Sequence, residues 1–291
     1  MDILKLNMIK SKRFICKRYA MSKSEFLLFI NSLPSFKKKF FQKCLNKLNS
    51  MDGPVVYESG EIKIYDPSMR QEIRREIPCK IIIYNGKIII RGLGCYYGCG
   101  YVLTALHVVK PLENVEILVA FPNGKCTLIY KAEFRESCNT DTDRDQTCIK
   151  LLGDISPLGD GLQNQVGEAN ESKSVYFYRK KRIFFIDIFP GGKFKKQDGK
   201  ILEERSIYRS IFYCLLHPLC HRKQGEVLDE TLDVFFISIV GEHGDSGSPV
   251  YNAKGELIGI YRGKHSDNGY GVCSRISPRF KPVNIQGTLQ N

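Results

Sequence analysis

The chain reads as an all-β protein of many short antiparallel strands in two groups, which predicts two packed barrels or sandwiches. Three observations carry this. Short runs rich in β-branched and aromatic residues, each bounded by Gly, Asn, Asp or Pro, recur from residue 55 to residue 276. Helical periodicity is scarce after residue 54. Tyr84-Asn85-Gly86-Lys87 is a hairpin signal, because Asn-Gly tolerates positive φ at both central positions. A hydrophobic fraction of 43% over 291 residues supports a sizeable core and excludes global disorder.

Taken in order, residues 1–50 read as helical. Phe26 to Ile30 form one apolar run; Phe40, Phe41, Cys44, Leu45 and Leu48 repeat at three- and four-residue spacing. Pro34 separates the two helices, since its ring breaks the backbone ladder. Ser50-Met51-Asp52-Gly53-Pro54 reads as a linker. The first strand group is expected at 55–57, 62–65, 80–84, 87–91, 101–106, 115–121, 127–134 and 147–152. The second is expected at 174–178, 183–189, 206–216, 234–240, 249–251, 256–261 and 270–276. The charged stretch Gly191–Arg205 reads as a loop. The organisation is therefore a basic extension, 1–53, before a two-barrel unit, 54–291, with barrel one at about 54–155 and barrel two at about 170–285.

The net charge of +13 is uneven. Residues 1–50 hold twelve Lys/Arg against two acids, Asp2 and Glu25, which leaves the rest of the chain close to neutral. A basic arm on a balanced body points to nucleic acid, an anionic membrane or an acidic partner. The interleaved Phe14, Tyr19, Phe36, Phe40 and Phe41 suit base stacking, but the plainer reading packs them onto the barrel. No stretch approaches the ~18–20 apolar residues of a membrane span. Eleven cysteines, an odd number, with no secretory leader in sight, predict reduced thiols and an intracellular setting, cytoplasm or nucleus before mitochondrion. Cys214, His217, Cys220 and His221 cluster, but their spacing is not that of a closed zinc site. No metal or organic cofactor is expected.

Two strings carry chemistry. Gly244-Asp245-Ser246-Gly247-Ser248-Pro249-Val250 is a Gly-flanked turn presenting one serine ahead of an apolar strand. Thr104-Ala105-Leu106-His107-Val108-Val109, with His107 lying 139 residues before Ser246, is an apolar strand that ends on one histidine. A serine hydroxyl is a poor nucleophile until an imidazole accepts its proton, and a carboxylate must fix that imidazole. Asp141, Asp143 and Asp145 lie between the two strings.

Gly98 to Val109 resembles the strand and turn bearing the histidine of trypsin-like (chymotrypsin-fold) peptidases, and Gly244 to Val250 resembles their serine loop. Lys254 to Ile260 is similar to the hairpin that follows, so the resemblance covers about residues 55–285. It implies two six-stranded antiparallel barrels and a serine endopeptidase acting on protein or peptide. His107 would be the base, Ser246 the nucleophile and Asp145 the orienting acid, ahead of Asp143 and then Asp141. Gln146-Thr147 departs from the apolar pair that relatives carry after the aspartate. The oxyanion hole would be the amides of Gly244 and Ser246, with Asp245 supporting the loop from within. In secreted relatives the newly cut N-terminus fills that supporting role. No activation motif precedes the first strand here, so assembly of the hole is expected to be constitutive or triggered by a partner. By register the pocket floor falls on Val240 and its walls on Arg262, Gly263, Lys264 and Gly271, which favours an apolar P1 residue over Lys or Arg. Relatives also bridge a cysteine before the histidine to one after it, where this chain has Val108. The competing readings are a catalytically silent barrel that binds nucleic acid or protein, and an esterase on the same scaffold. His243 and His265 flank the expected cleft, His243 more as a loop residue than a second base.

Overall fold

The computed structural model describes residues 38–58, 61–66, 78–84, 88–110, 115–123, 126–134, 140–170, 173–180, 194–202, 234–242, 244–264 and 270–280. Among these, a helix α1 (38–49) precedes nine strands that form one sheet: β1 (Val55–Glu58), β2 (Glu61–Ile64), β3 (Cys79–Tyr84), β4 (Ile88–Gly98), β5 (Tyr101–Ala105), β6 (Glu116–Asn123), β7 (Cys126–Glu133), β8 (Thr140–Asp141) and β9 (Gln146–Leu151). A four-residue helix, α2 (Leu106–Val109), follows β5 directly. The strand order is β2-β1-β7-β6-β3-β4-β5-β9-β8. Strand β9 also pairs with β7 through Ala132↔Leu151 and Glu133↔Lys150, which closes six of the strands into a barrel.

The period-2 alternation of these strands buries both faces. Ile81 and Ile83 of β3, Ile117, Val119 and Phe121 of β6, and Leu128, Tyr130 and Ala132 of β7 fill one core. Their neighbours Ile82, Leu118, Ala120 and Ile129 form a second layer with Phe41, Cys44, Leu45 and Leu48 of α1. A strand covered on both sides reads as a near-continuous apolar run, as in Ile117-Leu118-Val119-Ala120-Phe121. The same spacing that makes α1 amphipathic thus roofs the barrel, while Lys38, Lys39, Gln42 and Lys43 face water. Each fully buried Leu or Phe contributes about 1.5–3 kcal/mol.

The second sheet has the order β11-β10-β13-β14-β15-β12, built from β10 (Ser174–Lys180), β11 (Phe194–Lys200), β12 (Val234–Ile237), β13 (Pro249–Asn252), β14 (Leu257–Lys264) and β15 (Gly271–Arg275). Its two edges meet. Ile201 bridges Ile237, Leu202 N donates to Phe236 O at 2.9 Å, and Ser238 N donates to Lys200 O at 3.0 Å. Val175, Phe177, Phe235, Ile237, Val250, Ile258 and Cys273 fill the space between. One closed barrel beside a second, six-stranded curled sheet is the two-barrel architecture of trypsin-like peptidases.

Three local expectations are corrected. Phe194–Lys200 is a strand, not a loop: it carries five polar residues and a glycine, yet pairs along its length with β10. Lys195, Lys196, Asp198 and Lys200 are exposed, so hydrophobic patterning gives no signal. The strand bearing Thr104 stops at Ala105, and Leu106 opens α2. Strand β4 runs on through Gly92 and Gly94 to Gly98. The expected elements at 26–30, 183–189 and 206–216 lie outside the described residues, as do Pro34, the arm aromatics Phe14, Tyr19 and Phe36, and the tip of the Asn85-Gly86 turn. The flanking pair Tyr84↔Ile88 is formed.

A polar seam joins the two barrels where the chain enters β9. Gln146, fully buried, donates from Nε2 to Arg275 O at 2.7 Å and Ser274 O at 3.2 Å, and accepts from Ser277 N at 3.0 Å. Ser277 Oγ donates to Asp141 Oδ2 at 2.6 Å, and Arg144 Nη1 pairs with the same oxygen at 3.0 Å. Burial pushes the Asp141 carboxyl up. The bonds from Ser277 and Arg144 and the Arg144 charge outweigh that, so Asp141 sits below its ordinary value. Among the described residues no helix is long and apolar enough to cross a membrane.

Candidate active site

The site is assembled from the ends of strands. β5 delivers Ala105, and α2 begins at once, with no side-chain cap of its own. The cap comes from 38 residues away: Leu106 N donates to Asp145 O at 2.8 Å and His107 N to Asp145 Oδ1 at 2.9 Å. Asp145 can do this because the turn before β9 holds it at φ 50°, a left-handed conformation that Asp visits more readily than most residues. Its second oxygen, Oδ2, lies 2.7 Å from His107 Nδ1. A carboxylate there holds the proton on Nδ1 and leaves Nε2 as the basic nitrogen of the neutral ring. The His107 side chain is 41% exposed and that of Asp145 14%, so the pair is anchored on one side and open on the other. Asp143 is exposed and Asp141 belongs to the barrel seam.

The Ser246 loop is a set of tight turns between β12 and β13. Asp245 N donates to Glu242 O at 3.0 Å and Ser248 N to Asp245 O at 3.1 Å. Gly247 N donates to Tyr261 O, and Tyr261 N to Ser248 O, both at 2.8 Å. Gly244 and Gly247 adopt φ 93° and 88°. A side chain at 247 would also overlap the Leu93 carbonyl and the Thr104 hydroxyl, so only glycine fits.

The loop is stitched to the first barrel beside the histidine. Leu93 N donates to Ser246 O at 2.8 Å. A Cβ on Gly92 would lie 2.6 Å from Ser246 O and 2.8 Å from Cγ2 of Val108, the residue after His107. One glycine thickness therefore separates the Ser246 backbone from α2. The Ser246 hydroxyl itself donates to Arg262 O at 2.9 Å, not to His107. The amides of Gly244 and Ser246 have no hydrogen-bond partner among the described residues.

Two pocket assignments change. Arg262 does not line a pocket with its side chain: Nε lies 3.3 Å from Asp145 Oδ2, so its guanidinium joins the His107–Asp145 pair. Gly271 leaves no room for substrate, since a Cβ there would lie 2.5 Å from Ile239 O; this glycine allows close strand packing instead. Gly263 does face open space, with no atom within 4 Å of its would-be Cβ. Val240 is 40% exposed and Lys264 is exposed at the end of β14. His243, His265 and the cluster Cys214, His217, Cys220, His221 lie outside the described residues. The described cysteines are free thiols.

Sequence reasoning missed two residues. Arg179 Nε lies 3.3 Å from Asp245 Oδ2, and its Nη2 pairs with Glu242. It sits in the run Arg179-Lys180-Lys181-Arg182, where composition singles out none of the four. The usable signal was periodicity: Val175 and Phe177 are core, so residue 179 shares their face. In the sequence Gln146 stands out only as a departure from the apolar pair, whereas in the fold its buried amide is the inter-barrel clamp.

No protein-family profile matches the chain, and no curated protein matches it. Among solved structures the chain is similar to the MamO protease domain from Magnetospirillum magneticum, 17% identical with a TM-score of 0.46, covering 70% of this chain and 93% of that one. It is similar also to the Rv3671c protease from M. tuberculosis in its active form, 19% identical with a TM-score of 0.46, covering 72% and 82%. The HtrA-type protease AlgW with a decapeptide is 15% identical with a TM-score of 0.47, covering 70% and 62%.

Proposed function

We propose that this chain is a serine endopeptidase acting through an acyl-enzyme on Ser246. The observation that carries the reading is the His107 Nδ1–Asp145 Oδ2 bond of 2.7 Å, with the Ser246 loop bonded to β4 one residue from the α2 contact. In the reaction, rotation about the serine Cα–Cβ bond turns the hydroxyl from Arg262 O to His107 Nε2. Nε2 takes the proton as Oγ attacks the scissile carbonyl, and Asp145 stabilises the imidazolium that forms. The free amides of Gly244 and Ser246 receive the oxyanion. His107 then protonates the leaving amine, and water, deprotonated by the same nitrogen, releases the acyl group. Arg262 O, freed from the hydroxyl, accepts a backbone N–H of the substrate. An apolar P1 residue suits the exposed Val240 and the open space at Gly263; a peptide library cut mainly after Arg or Lys would contradict that preference.

The second reading, a silent barrel used for binding, draws on the Ser246 hydroxyl bonding to Arg262 O. A fluorophosphonate probe separates the two. The peptidase reading expects covalent labelling of the folded wild-type chain, abolished in Ser246→Ala. A folded wild-type chain that resists the probe favours the silent barrel. Turnover of small esters without peptides would point to an esterase.

A further inference from the structure

We propose that Arg179 is a positioning residue for Ser246: its guanidinium clamps Glu242 and Asp245, so the oxyanion-binding amides are held in place by an internal cation, with no cleavage of the chain. The inference rests on the peptidase reading and adds to it the part that keeps the nucleophile loop in shape.

The charge requirement comes first. Asp245 lies between the two residues whose amides would bind the oxyanion, and its residue is only 2% exposed. A carboxylate in that position needs a cation or donors, because burial otherwise disfavours the charged form. Glu242 N donates to Asp245 Oδ2 at 2.8 Å, and Arg179 Nε lies 3.3 Å from the same oxygen. Arg179 Nη2 reaches the Glu242 carboxylate. One planar group therefore grips both ends of the 242–245 turn, which Asp245 N→Glu242 O closes at 3.0 Å. A fork of fixed donors suits this task better than the point charge of a lysine.

The clamp stands on rigid ground. Arg179 continues the inner face of β10 after Val175 and Phe177, and β10 is paired with β11 on one side and β13 on the other. The Phe177 ring stacks on Tyr261 at 5.2 Å between centroids. Tyr261 in turn accepts Gly241 N on its hydroxyl at 3.0 Å and Gly247 N on its carbonyl at 2.8 Å. Both flanks of the serine turn are thus tied to the strand that carries Arg179. Among the described residues, the charged and titratable groups facing the guanidinium are the Glu242 and Asp245 carboxylates and the Tyr261 hydroxyl, with Lys195 opposite on β11. Arginine keeps its proton throughout the working range of a peptidase, so this clamp does not open with rising pH.

The test is the rate of fluorophosphonate labelling of the full chain across about pH 6 to 10, in wild type, Arg179→Ala, Arg179→Lys and Arg179→His, with folding followed by circular dichroism at each pH. Wild type is expected to hold its labelling rate at high pH. Arg179→Ala should label at least ~100-fold more slowly, the scale of losing an oxyanion donor. Arg179→Lys should recover ~10-fold or more of that loss by restoring the charge alone. In Arg179→His the protonated imidazole supplies the cation at low pH. Labelling of folded protein should therefore fall as pH rises through the imidazole titration, above ~6.5 because two carboxylates favour the charged ring. A merely structural role would lower the folded fraction without adding that alkaline limb. If wild type and Arg179→Ala label equally, the clamp is wrong and the peptidase reading stands. If folded wild type does not label at all, both fall. If Arg179→Ala is unfolded, Arg179→His decides, and a pH profile shaped like that of wild type overturns the proposal.

Discussion

Asp145 acts through its backbone and both carboxylate oxygens at once. Its carbonyl and Oδ1 cap α2, and Oδ2 meets His107 and Arg262. Asp145→Asn keeps the shape and places an amide beside Nδ1. The neutral ring would then carry its proton on Nε2, the nitrogen needed as a base. Labelling by the probe should drop by on the order of 10³–10⁴, with thermal unfolding nearly unchanged; labelling within tenfold of wild type would remove Asp145 from the mechanism. The proposed base and nucleophile stand out in short strings because each sits on a distinctive local backbone: the helical turn just after a strand for His107, a glycine-flanked turn for Ser246. The carboxylate could not be isolated so cleanly. Asp141, Asp143 and Asp145 share one short segment, and what separates them is conformation. Asp141 turns into the barrel seam, Asp143 into solvent, and Asp145 adopts the positive φ that aims it at α2.

At the scale of elements, strands with two buried faces were easy to see, and the same physics hid the others. β6 and β7 announce themselves because core and α1 both demand apolar residues. β11 does not, because Lys195, Lys196, Asp198 and Lys200 are exposed and backbone pairing with β10, not apolar patterning, makes it a strand. α2 has one turn, too short for periodicity, and its cap lies in another part of the chain. Gln146 belongs here as well, because it opens β9 and bolts it to β15. Replacing it with the apolar residue its strand position invites, Gln146→Leu, strips three hydrogen bonds, those to the Ser274 and Arg275 carbonyls and the one from Ser277 N. Urea unfolding should show a loss of about 2–4 kcal/mol, and probe labelling should fall with it, since Asp145 is the preceding residue. A stable Gln146→Leu chain with normal labelling would mean the seam neither binds the barrels nor positions the acid.

For the molecule as a whole, burial sets opposing pH dependences that can be ranked. Lys80 on β3 is fully buried, and burial pulls its amine from 10.5 down to about 7. Between those values the unfolded chain binds a proton that the folded chain does not, so stability rises with pH across that window. The buried thiols work the other way. Burial raises Cys44 and Cys148 from 9.0 to about 12, and it carries Cys79, Cys95 and Cys273 well above their ordinary value. Above pH 9 the unfolded chain loses thiol protons that the folded chain keeps, so stability falls. Five thiols outweigh one amine there, at up to ~1.4 kcal/mol per group and pH unit. Stability measured by urea unfolding under reducing conditions should therefore climb by on the order of 1 kcal/mol from pH 7 to a maximum between about pH 8 and 9, and then decline steeply. Lys80→Met removes only the rising part: its unfolding free energy should exceed that of wild type most at neutral pH, and the gap should shrink by pH 9. A gap that stays constant over that range would mean that Lys80 keeps its proton inside the folded barrel, held by a counter-charge strong enough to cancel its burial.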